Sequence, residues 1–553
     1  MARDHGMAQV TSTTSTPVEA IIVGAGFAGL YMLHRLRGLG MSARVIEAGS
    51  GVGGTWYWNR YPGARCDTES MQYSYSWSAD LQQDWQWSEK FAGQPEILKY
   101  ANHVADRFDL RRDITFNTRV TSAAFDEGED RWRIETDAGE AIHARFCIMA
   151  TGCLSNARVP SFDGLDSFLG DTYHTGHWPH AGVDLKGKRV AVIGTGSSAI
   201  QAIPVIAQQA AHVTVFQRTP NYSIPARNGP MTAEHEQWWK SDYDAHRAKA
   251  RDARNGILAD PNDLSALAVS PEDRQKQYEA RWVTGGTTFM ASFNDLITNK
   301  ASNDTAAEFV RQQIRAIVRD PAVAEVLEPK DYPIGTKRIC ADTEYFQTFN
   351  RPNVTLVDIR HAPIERVTPT GLVTGGQSYD VDCIVFATGF DAMTGALLKI
   401  DIRGRQDQCL RRKWEAGPRT YLGLTTAGFP NLFMITGPGS PSVLSNMIVS
   451  IEQHVDWLTE CLGHMQARQL CVIEPTSAAE DGWVAHVNEA ANRTLYPSAA
   501  SWYMGANIPG KPRVFMPYIG GVGTYRRECA AVAAEGYAGF RLASSTRAAA
   551  SPA

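Results

Sequence analysis

The sequence predicts an α/β fold with two dinucleotide-binding units, and three observations support this class. The chain has 553 residues, more than one hydrophobic core usually supports. Glycine-rich turns occur at residues 24–29 and 194–199, and each follows a short apolar run and precedes a helical pattern. A further strand-like run ends each pattern, as in a doubly wound parallel sheet. We therefore expect two Rossmann-like domains.

Composition excludes several other classes of protein. The formal net charge of -5 leaves no basic surplus for nucleic acid, and the sequence has no run of 18 apolar residues that could span a membrane. The nine cysteines are scattered without a CxxC pair, which argues against a disulfide framework, a metal site or a dithiol centre. We expect a cytoplasmic protein without nucleic-acid or membrane partners, and disordered tails at residues 1–17 and 544–553.

The first glycine turn predicts a site for an unphosphorylated adenosine ribose. Gly24, Gly26 and Gly29 lie between an apolar strand at 18–23 and a helix that extends through residue 37. The next strand, at 43–46, ends in Glu47, whose carboxylate suits ribose hydroxyls. Backbone N–H groups at the helix start are expected to meet the pyrophosphate of a dinucleotide.

A loop at residues 53–67, here named the aromatic loop, combines glycines, aromatic rings, arginines and one carboxylate. This pattern cannot form an ordinary amphipathic helix or strand. Glycines such as Gly54 let the backbone approach a ring system, aromatics such as Trp56 exclude water, and Asp67 near arginines can position a guanidinium. We interpret the loop as a lid over a flavin, with Thr55 beside Trp56.

The segment that follows predicts a helix and then a meander. We expect a helix at 94–108, strands at 114–120, 123–125, 132–136 and 141–146, and a buried strand from Cys147 to a turn at Gly152. There the chain is expected to leave the first domain.

The second glycine turn predicts a site for NADP. Its residues follow a strand at 190–193 and are Gly194, Thr195, Gly196, Ser197 and Ser198. After the next strand, at 213–216, Arg218 and Thr219 stand where a ribose-binding acid would be. Because a carboxylate there would repel a 2'-phosphate and Arg218 can bind it, we predict NADP rather than NAD.

The rest of the chain is expected to complete both domains. Charged helical patterns at 230–330 predict a helical insertion with a solvated face in the NADP domain. A second Ala-Thr-Gly at 387–389 echoes residues 150–152, and a helix is expected at 443–461. We expect an FAD domain from 18–152 and 390–543 and an NADP domain from 153–229 and 331–389.

Two longer motifs connect this plan to a known family. Residues 168–179 match the pattern FxGxxxHxxxW(P/D), and residues 53–67 match GGxWxxxx(Y/F)PGxxxD. From about Ala20 to Arg541 the chain resembles the type I Baeyer–Villiger monooxygenases. Segments 335–338, 501–510 and 515–518 look most like the phenylacetone and steroid monooxygenase branch.

The resemblance implies FAD and NADP(H) as cofactors and a ketone with O2 as substrates. NADPH would reduce the flavin, oxygen would add at C4a, and the peroxide would insert oxygen to give an ester or lactone. Arg338 resembles the family's active-site arginine and Asp67 its carboxylate partner. Lys337 would join the 2'-phosphate site, and Trp502 would close over the nicotinamide nucleotide.

The resemblance also implies further site residues. His174 would couple the domains rather than take part in chemistry. An aromatic, alicyclic or steroid-like ketone is expected, and the protein is expected to be a monomer or weak dimer. The remaining cofactor contacts are Tyr73, Val120 and Met447, and the substrate pocket includes Cys153, Ser442, Val443 and Leu444.

Three alternatives stay open at this point. A flavin monooxygenase that oxidises amine nitrogen or sulfide shares the two-turn plan but would lack Trp178 and the Asp67/Arg338 pair. An NADPH-disulfide reductase is disfavoured because no CxxC pair is present. The third alternative is an idle NADPH-sensing protein that uses the fold to bind a partner.

Overall fold

A computed structural model describes residues 13–14 and 17–544 of the chain. The expectation of disordered tails at 1–12, 15–16 and 545–553 lies outside the described residues. Thr13–Thr14 is a short strand that pairs in parallel with Glu140 and Ala141, which corrects the expectation of disorder at these two positions.

The larger sheet contains the first glycine turn. The strand Val18–Val23 pairs in parallel with Ala43–Ile46 on one side and Glu140–Met149 on the other. Across this sheet the strands are Asp401–Arg403, Val120–Asp126, Arg131–Thr136, Glu140–Met149, Val18–Val23, Ala43–Ile46 and Ile114–Thr115, and Thr13–Thr14 and Leu432–Met434 also pair with Glu140–Met149.

The meander differs from its prediction in two places. The expected strand at 114–120 is interrupted after Thr115, and Asn117 has a positive φ of 53°. The expected strands at 141–146 and from Cys147 are one strand, Glu140–Met149. Its first half pairs with Arg131–Thr136 and its second half with Val18–Val23, without a break between them. The polar residues within it therefore do not mark a turn.

The second sheet contains the second glycine turn. All its strand pairs are parallel, and its strands in spatial order are Val354–Asp358, His212–Gln217, Arg189–Ile193, Cys383–Phe386 and Asp171–His174. Smaller pairings that the sequence did not indicate are Ser223–Pro225 with Cys340–Asp342, the antiparallel set Ile364–Thr368, Gly371–Thr374 and Gln377–Asp380, and Val472–Pro475 with Phe540–Ala543.

Helices cover the sheets and connect them. Phe27–Gly38 follows the first turn and Ser197–Gln209 follows the second; we call them the first and second glycine helices. The other α-helices of the described chain are Thr55–Trp58, Ala79–Asp84, Gln94–Arg107, Ala233–Ser241, Tyr243–Asp252, Pro271–Thr284, Lys300–Ile317, Pro321–Leu327, Tyr345–Thr348, Gly395–Leu398, Leu410–Lys413, Met447–Ala467, Ser477–Asn492 and Val522–Ala534.

The helix expected at 443–461 begins later, at Met447. Ser442–Leu444 forms a separate 3-10 turn, and the side chain of Asn446 accepts a hydrogen bond from the Ile448 N–H and caps the helix. An asparagine at this position is a strong helix start because it satisfies a backbone donor of the first turn. The apolar run Val443-Leu444 obscured this boundary in the sequence.

The helices of residues 230–330 divide between two hydrophobic cores. Trp239 and Tyr243 pack in the core of the larger sheet, whereas Tyr278, Trp282 and many later residues pack in the core of the second sheet. Arg247 is only 3% exposed and donates hydrogen bonds to residues of the first unit. The helix Tyr243–Asp252 has the expected solvated face, with Asp244, Lys249 and Asp252 exposed, but Arg247 lies on its buried face. The proposed domain boundaries stay a prediction.

The repeated Ala-Thr-Gly has a structural explanation. A Cβ on Gly24 would lie 2.6 Å from the carbonyl oxygen of Ala150, and a Cβ on Gly194 would lie 2.5 Å from that of Ala387. Gly24 and Gly194 have φ angles of 106° and 112°, which side-chain-bearing residues rarely adopt. Each glycine turn is thus pressed against the end of the neighbouring strand. Within the described residues, no helix is long and apolar enough to cross a bilayer.

Candidate active site

The two glycine turns open into one cavity of about 1180 Å³. This volume exceeds the usual range for a single small-molecule pocket and suits two dinucleotides with a substrate. Most of the predicted cofactor residues line it: Gly24, Gly26, Glu47, Gly54, Thr55, Trp56, Asp67, Tyr73, Val120, Gly194, Thr195, Gly196, Ser197, Ser198, Arg218, Thr219, Lys337, Arg338, Met447 and Trp502. The structure therefore brings together residues that are more than 450 positions apart in the sequence, such as Glu47 and Trp502.

Gly29 lies behind the first turn and not on the cavity wall. A Cβ there would be 1.9 Å from the carbonyl oxygen of Gly24, so this glycine lets the helix approach the turn. Glu47 is 4% exposed, and its two carboxylate oxygens accept hydrogen bonds from the N–H groups of Ala25 and Gly49, both at 2.7 Å. Burial raises the pKa of Glu47, and these backbone donors offset part of the shift.

The aromatic loop folds back over the first glycine turn. A Cβ on Gly54 would lie 2.8 Å from the Cα of Gly26, so the two backbones are in direct contact. The loop contains one short helical turn, Thr55–Trp58, and Trp56 donates a hydrogen bond to the Tyr73 hydroxyl at 3.1 Å. Trp56 and Tyr73 together form an aromatic wall of the cavity.

The second turn opens toward two cations. A Cβ on Gly196 would meet no atom within 4 Å, so the backbone there is open to a ligand. Thr195 donates a hydrogen bond to the carbonyl of Thr219 at 2.8 Å, which ties the turn to the strand end that carries Arg218. Burial and the nearby Arg218 lower the pKa of Lys337 to about 8. Two cations held this close indicate an anion site.

A partly exposed Arg338 and a buried Asp67 form an ion pair on the cavity wall. The Arg338 Nε lies 3.3 Å from an Asp67 oxygen, and its Nη1 donates to the Val443 carbonyl at 3.2 Å. Burial raises the pKa of Asp67, and Arg338 offsets part of this shift. Burial also disfavours the charged guanidinium, but Asp67, with smaller contributions from Tyr503, Cys340 and Cys66, raises the pKa of Arg338 above its usual range. Arg338 is a permanent cation whose side chain stays 36% exposed on the cavity side.

Gln201 completes this arrangement and was missed by sequence reasoning. It lies on the second glycine helix, lines the cavity, and donates a hydrogen bond to the other Asp67 oxygen at 3.3 Å. No motif marks it, because a single glutamine within a helix carries no local signal. The Val443 carbonyl that holds Arg338 is equally invisible in the sequence, since any residue offers one.

Trp502 lies near the C-terminal end of the sequence, far from Asp67, but lines the same cavity. It begins the 3-10 turn Trp502–Met504, and its ring lies 4.1 Å from that of Tyr503. Tyr503 is 2% exposed and belongs to an apolar cluster with Cys153, Val443, Met504 and others.

The predicted substrate-pocket residues separate into two groups. Cys153 and Val443 line the cavity, whereas Ser442 and Leu444 do not. Ser442 is fully buried, and its hydroxyl contacts the Cys153 sulfur at 3.5 Å and accepts a hydrogen bond from the Val443 N–H at 2.6 Å. Ser442 therefore packs behind Cys153 and Val443 and does not face the cavity.

His174 connects chain segments that cross between the two units. Its Nδ1 accepts a hydrogen bond from Gly176, and its Nε2 lies 3.1 Å from the Arg158 carbonyl and 3.3 Å from the Thr388 hydroxyl. Burial lowers the pKa of His174 to about 4, so the ring is neutral and donates through Nε2. This geometry fits a role in coupling the units and places no acid or base chemistry on His174.

The donor set of the cavity fits two phosphate-rich cofactors. Eight cationic side chains line it, against the two acids Glu47 and Asp67. An excess of cations attracts pyrophosphate and phosphate groups and would repel metal ions. The cations are Arg65, Arg119, Arg158, Arg218, Lys337, Arg338, Arg360 and Lys399. Within the described residues, no cluster of three or more His, Cys, Asp or Glu could hold a metal.

Comparisons with known proteins agree with this geometry. A family model described as pyridine nucleotide-disulphide oxidoreductase matches residues 21–232. The chain is 42% identical to a Baeyer–Villiger monooxygenase from Pseudooceanicola batsensis over 95% of its length and 96% of the relative. A solved structure of oxidised steroid monooxygenase bound to NADP is 54% identical, covers 96% of this chain and 100% of that one, and superposes with a TM-score of 0.92.

A further relative has a different printed activity. The phenazine N-monooxygenase of Lysobacter antibioticus is 41% identical over 95% of this chain and 97% of that protein.

Fold and site together define a flavoprotein oxidoreductase with separate sites for FAD and NADP. The identities over nearly the whole length show that the chain belongs to the Baeyer–Villiger monooxygenase family. The predicted fold class, family and cofactors are therefore confirmed. The matched family model also covers disulfide reductases by name, but each of the nine cysteines, all within the described residues, is free.

Proposed function

We propose that this protein inserts one oxygen atom of O2 next to the carbonyl group of a ketone and forms an ester or lactone, with NADPH as electron donor. The observation that carries the proposal is the Arg338–Asp67 pair on the wall of a cavity that both glycine turns share. The rest of the cavity supports it by providing nucleotide sites on two sides.

Bound FAD, once reduced by NADPH, is the group that activates O2. The first glycine turn, Glu47 and the aromatic loop would hold FAD, because they provide backbone donors, a ribose acceptor and flat aromatic walls. The second glycine turn, Arg218, Thr219 and Lys337 would hold NADP. The mutual repulsion of Arg218 and Lys337 supports this assignment, because a 2'-phosphate bound between the two cations would relieve it.

Arg338 would stabilise negative charge that develops on oxygen during the transfer. A guanidinium keeps its proton where a buried lysine could lose it. The N–H donors of the guanidinium also have fixed directions within one plane, whereas those of a lysine rotate. Asp67 and the Val443 carbonyl each accept a hydrogen bond from Arg338 and so fix its direction. Donors placed in advance toward a developing charge are usually the largest single contribution to catalysis.

Trp502 and the apolar cluster behind it would exclude water from the reacting oxygen. Trp502 borders the cavity, and Tyr503, Met504 and Phe515 fill the space behind it with 8% exposure or less. A dry site strengthens the interaction of Arg338 with a nearby anion. The position of Trp502 supports the proposed contact with the nicotinamide nucleotide.

The substrate is proposed to be an aromatic, alicyclic or steroid-like ketone. Small or apolar side chains line the cavity, among them Cys153, Ala392, Met447 and Val443, whose carbonyl accepts a hydrogen bond from Arg338. They offer apolar contact area without a charged partner, which favours a bulky neutral ketone. Similarity to the steroid monooxygenase supports the same class.

The test is a panel of aromatic, alicyclic and steroid ketones incubated with the purified holoenzyme, NADPH and O2. We expect products 16 mass units heavier that release an alcohol and an acid on alkaline hydrolysis, since one oxygen atom has entered beside the carbonyl. No ester or lactone from any ketone of the panel, despite reduction of the bound flavin by NADPH, would contradict the proposal.

Oxidation of an aromatic nitrogen is the second candidate function, because the phenazine N-monooxygenase is as similar as several ketone-oxidising relatives. An N-oxide gains the same mass but resists alkaline hydrolysis. Phenazine included in the panel therefore separates the two activities within one experiment.

We further propose that the protein is a cytoplasmic monomer or weak dimer. The free cysteines fit a reducing compartment. Light scattering over a tenfold range of protein concentration tests the oligomeric state.

A further inference from the structure

Gln201 connects the two units of the protein through its side-chain amide. Its carbonyl oxygen accepts hydrogen bonds from the Tyr61 hydroxyl at 2.8 Å and the Arg65 N–H at 3.3 Å. Its NH2 group donates to the Arg65 carbonyl at 3.1 Å and to the Asp67 carboxylate at 3.3 Å. All four partners lie in the aromatic loop, whereas Gln201 lies on the second glycine helix. The two donors and two acceptors also fix which end of the amide is oxygen.

A glycine in the aromatic loop makes this contact close. Gly63 has a φ of 80°, and a Cβ there would lie 2.3 Å from the backbone carbonyl oxygen of Gln201. Any other residue at position 63 would hold the loop away from the helix. The Gly63 backbone therefore brings the loop within reach of the Gln201 amide, independently of the hydrogen bonds themselves.

The Asp67 carboxylate is thus held from two directions by the second unit. Arg338 contacts one oxygen and Gln201 the other, and Asp67 itself belongs to the first unit. We infer that Gln201 is a positioning residue that fixes the orientation and charge of Asp67, and through Asp67 the direction of Arg338. This inference rests on the proposed function of the same pair.

The mechanism predicts a specific effect of pH. Arg338 is directed by an ionised Asp67, so activity falls on the acid side as Asp67 takes up a proton. Loss of the Gln201 donor destabilises the ionised carboxylate and moves this fall to higher pH. The other titratable groups that interact with Asp67 have raised pKa values and stay in one protonation state in acid; they are Tyr61, Cys66, Arg338, Cys340 and Tyr503.

The test compares Gln201→Glu and Gln201→Met with Gln208→Glu. Glutamate keeps the size of the side chain but replaces the donor with an oxygen facing Asp67, and methionine removes all four hydrogen bonds. Gln208 is exposed on the same helix, so its variant controls for added charge. Ester formation is measured across pH with saturating NADPH and ketone.

We expect the acid limb of Gln201→Glu to move up by about one pH unit, which corresponds to one hydrogen bond to a charged group. At the wild-type optimum, esters formed per NADPH consumed should fall about tenfold. Gln201→Met should also increase hydrogen exchange at residues 61–67, and Gln208→Glu should match the wild type in every measurement.

Two outcomes separate this inference from the proposed function. If the wild type forms esters and both Gln201 variants keep its acid limb and its ratio of ester to NADPH, the positioning role is wrong and the function stands. A uniform loss of rate at every pH, with an unmoved acid limb, would also overturn it, because it indicates only a structural contact. Failure of the wild type itself to form ester would instead reject the function.

Discussion

Arg338 is the residue on which the proposed chemistry depends most directly. Replacement of Arg338 by alanine removes the permanent cation and leaves Asp67 as a buried, unpaired carboxylate. We expect ester formation to fall by about two or more powers of ten, as for loss of an oxyanion donor, while FAD stays bound. Product analysis by mass and the flavin absorbance of the purified variant check both parts.

The control for this experiment is Arg366→Ala, which removes an exposed arginine on the strand Ile364–Thr368. It should keep wild-type activity. Near-normal ester formation by Arg338→Ala would remove Arg338 from the mechanism.

The affinity for NADP is expected to depend on pH because Lys337 changes its charge. Burial and Arg218 disfavour its charge and lower its pKa to about 8. Binding of a 2'-phosphate favours the protonated amine and raises the pKa in the complex. The contribution of Lys337 to affinity is therefore complete below about pH 8 and is lost progressively as the pH rises above it.

Binding of NADP+ is measured between pH 7 and 10 in the wild type and in Lys337→Met. The dissociation constant should rise above about pH 8 in the wild type and stay nearly flat in the variant. NAD+, which lacks the phosphate, should show little dependence in either protein. A wild-type affinity for NADP+ that does not change with pH would contradict the assignment of Lys337 to the phosphate.

The contact between the aromatic loop and the second glycine helix depends on Gly63. Gly63→Ala combines an unfavourable φ of 80° with a Cβ 2.3 Å from the Gln201 carbonyl oxygen. We expect destabilisation of more than the roughly 1–3 kcal/mol typical of backbone strain alone, together with increased hydrogen exchange at residues 61–67. Chemical unfolding and exchange measured by mass spectrometry test this.

Gly182→Ala is a matched control for the clash. Gly182 has a φ of 77°, but a Cβ there meets no atom within 4 Å. Its variant therefore carries the conformational strain without the collision. Equal losses of stability in the two variants would show that the close approach of Gly63 to the helix is not important.

The elements also show which features a sequence can predict. The strands Val18–Val23 and Ala43–Ile46, the turns and Glu47 follow from local order of residue types, because each glycine and acid contacts its own neighbours in the motif. Asp67 and Arg338 were paired only through resemblance to a family, since 271 positions separate them. Gln201 and the buried Arg247 were missed because their partners lie in distant segments that no local pattern specifies.

For the whole molecule, stability is expected to fall in mild acid. His454 is fully buried, its Nδ1 accepts a hydrogen bond from the Thr436 N–H, and burial lowers its pKa to about 3. The unfolded chain takes up this proton near pH 6.5, whereas the folded protein does not. The contribution of neutral His454 is thus complete above about pH 6.5 and is lost as the pH falls from there toward 3.

Chemical unfolding of the FAD-saturated protein at pH 7.5 and 5.5 measures this effect. His454→Gln cannot titrate, so its free energy of unfolding should decrease less between the two pH values than that of the wild type. His212, which is partly exposed on the strand His212–Gln217, provides a control as His212→Gln. An identical decrease in all three proteins would be evidence against the role of His454.

Asp67 lies in one unit, whereas Gln201 and Arg338, which hold it, lie in the other. This has a practical consequence for recombining the enzyme with its relatives. A chimera that takes its NADP-binding half from another protein replaces Gln201 and Arg338 at once, while the carboxylate they hold stays with the recipient. Crossovers should therefore carry the donor's residues 61–67 along with its NADP-binding half, so that the loop matches the incoming helix. Hybrids joined elsewhere would bind both nucleotides and still misdirect the guanidinium.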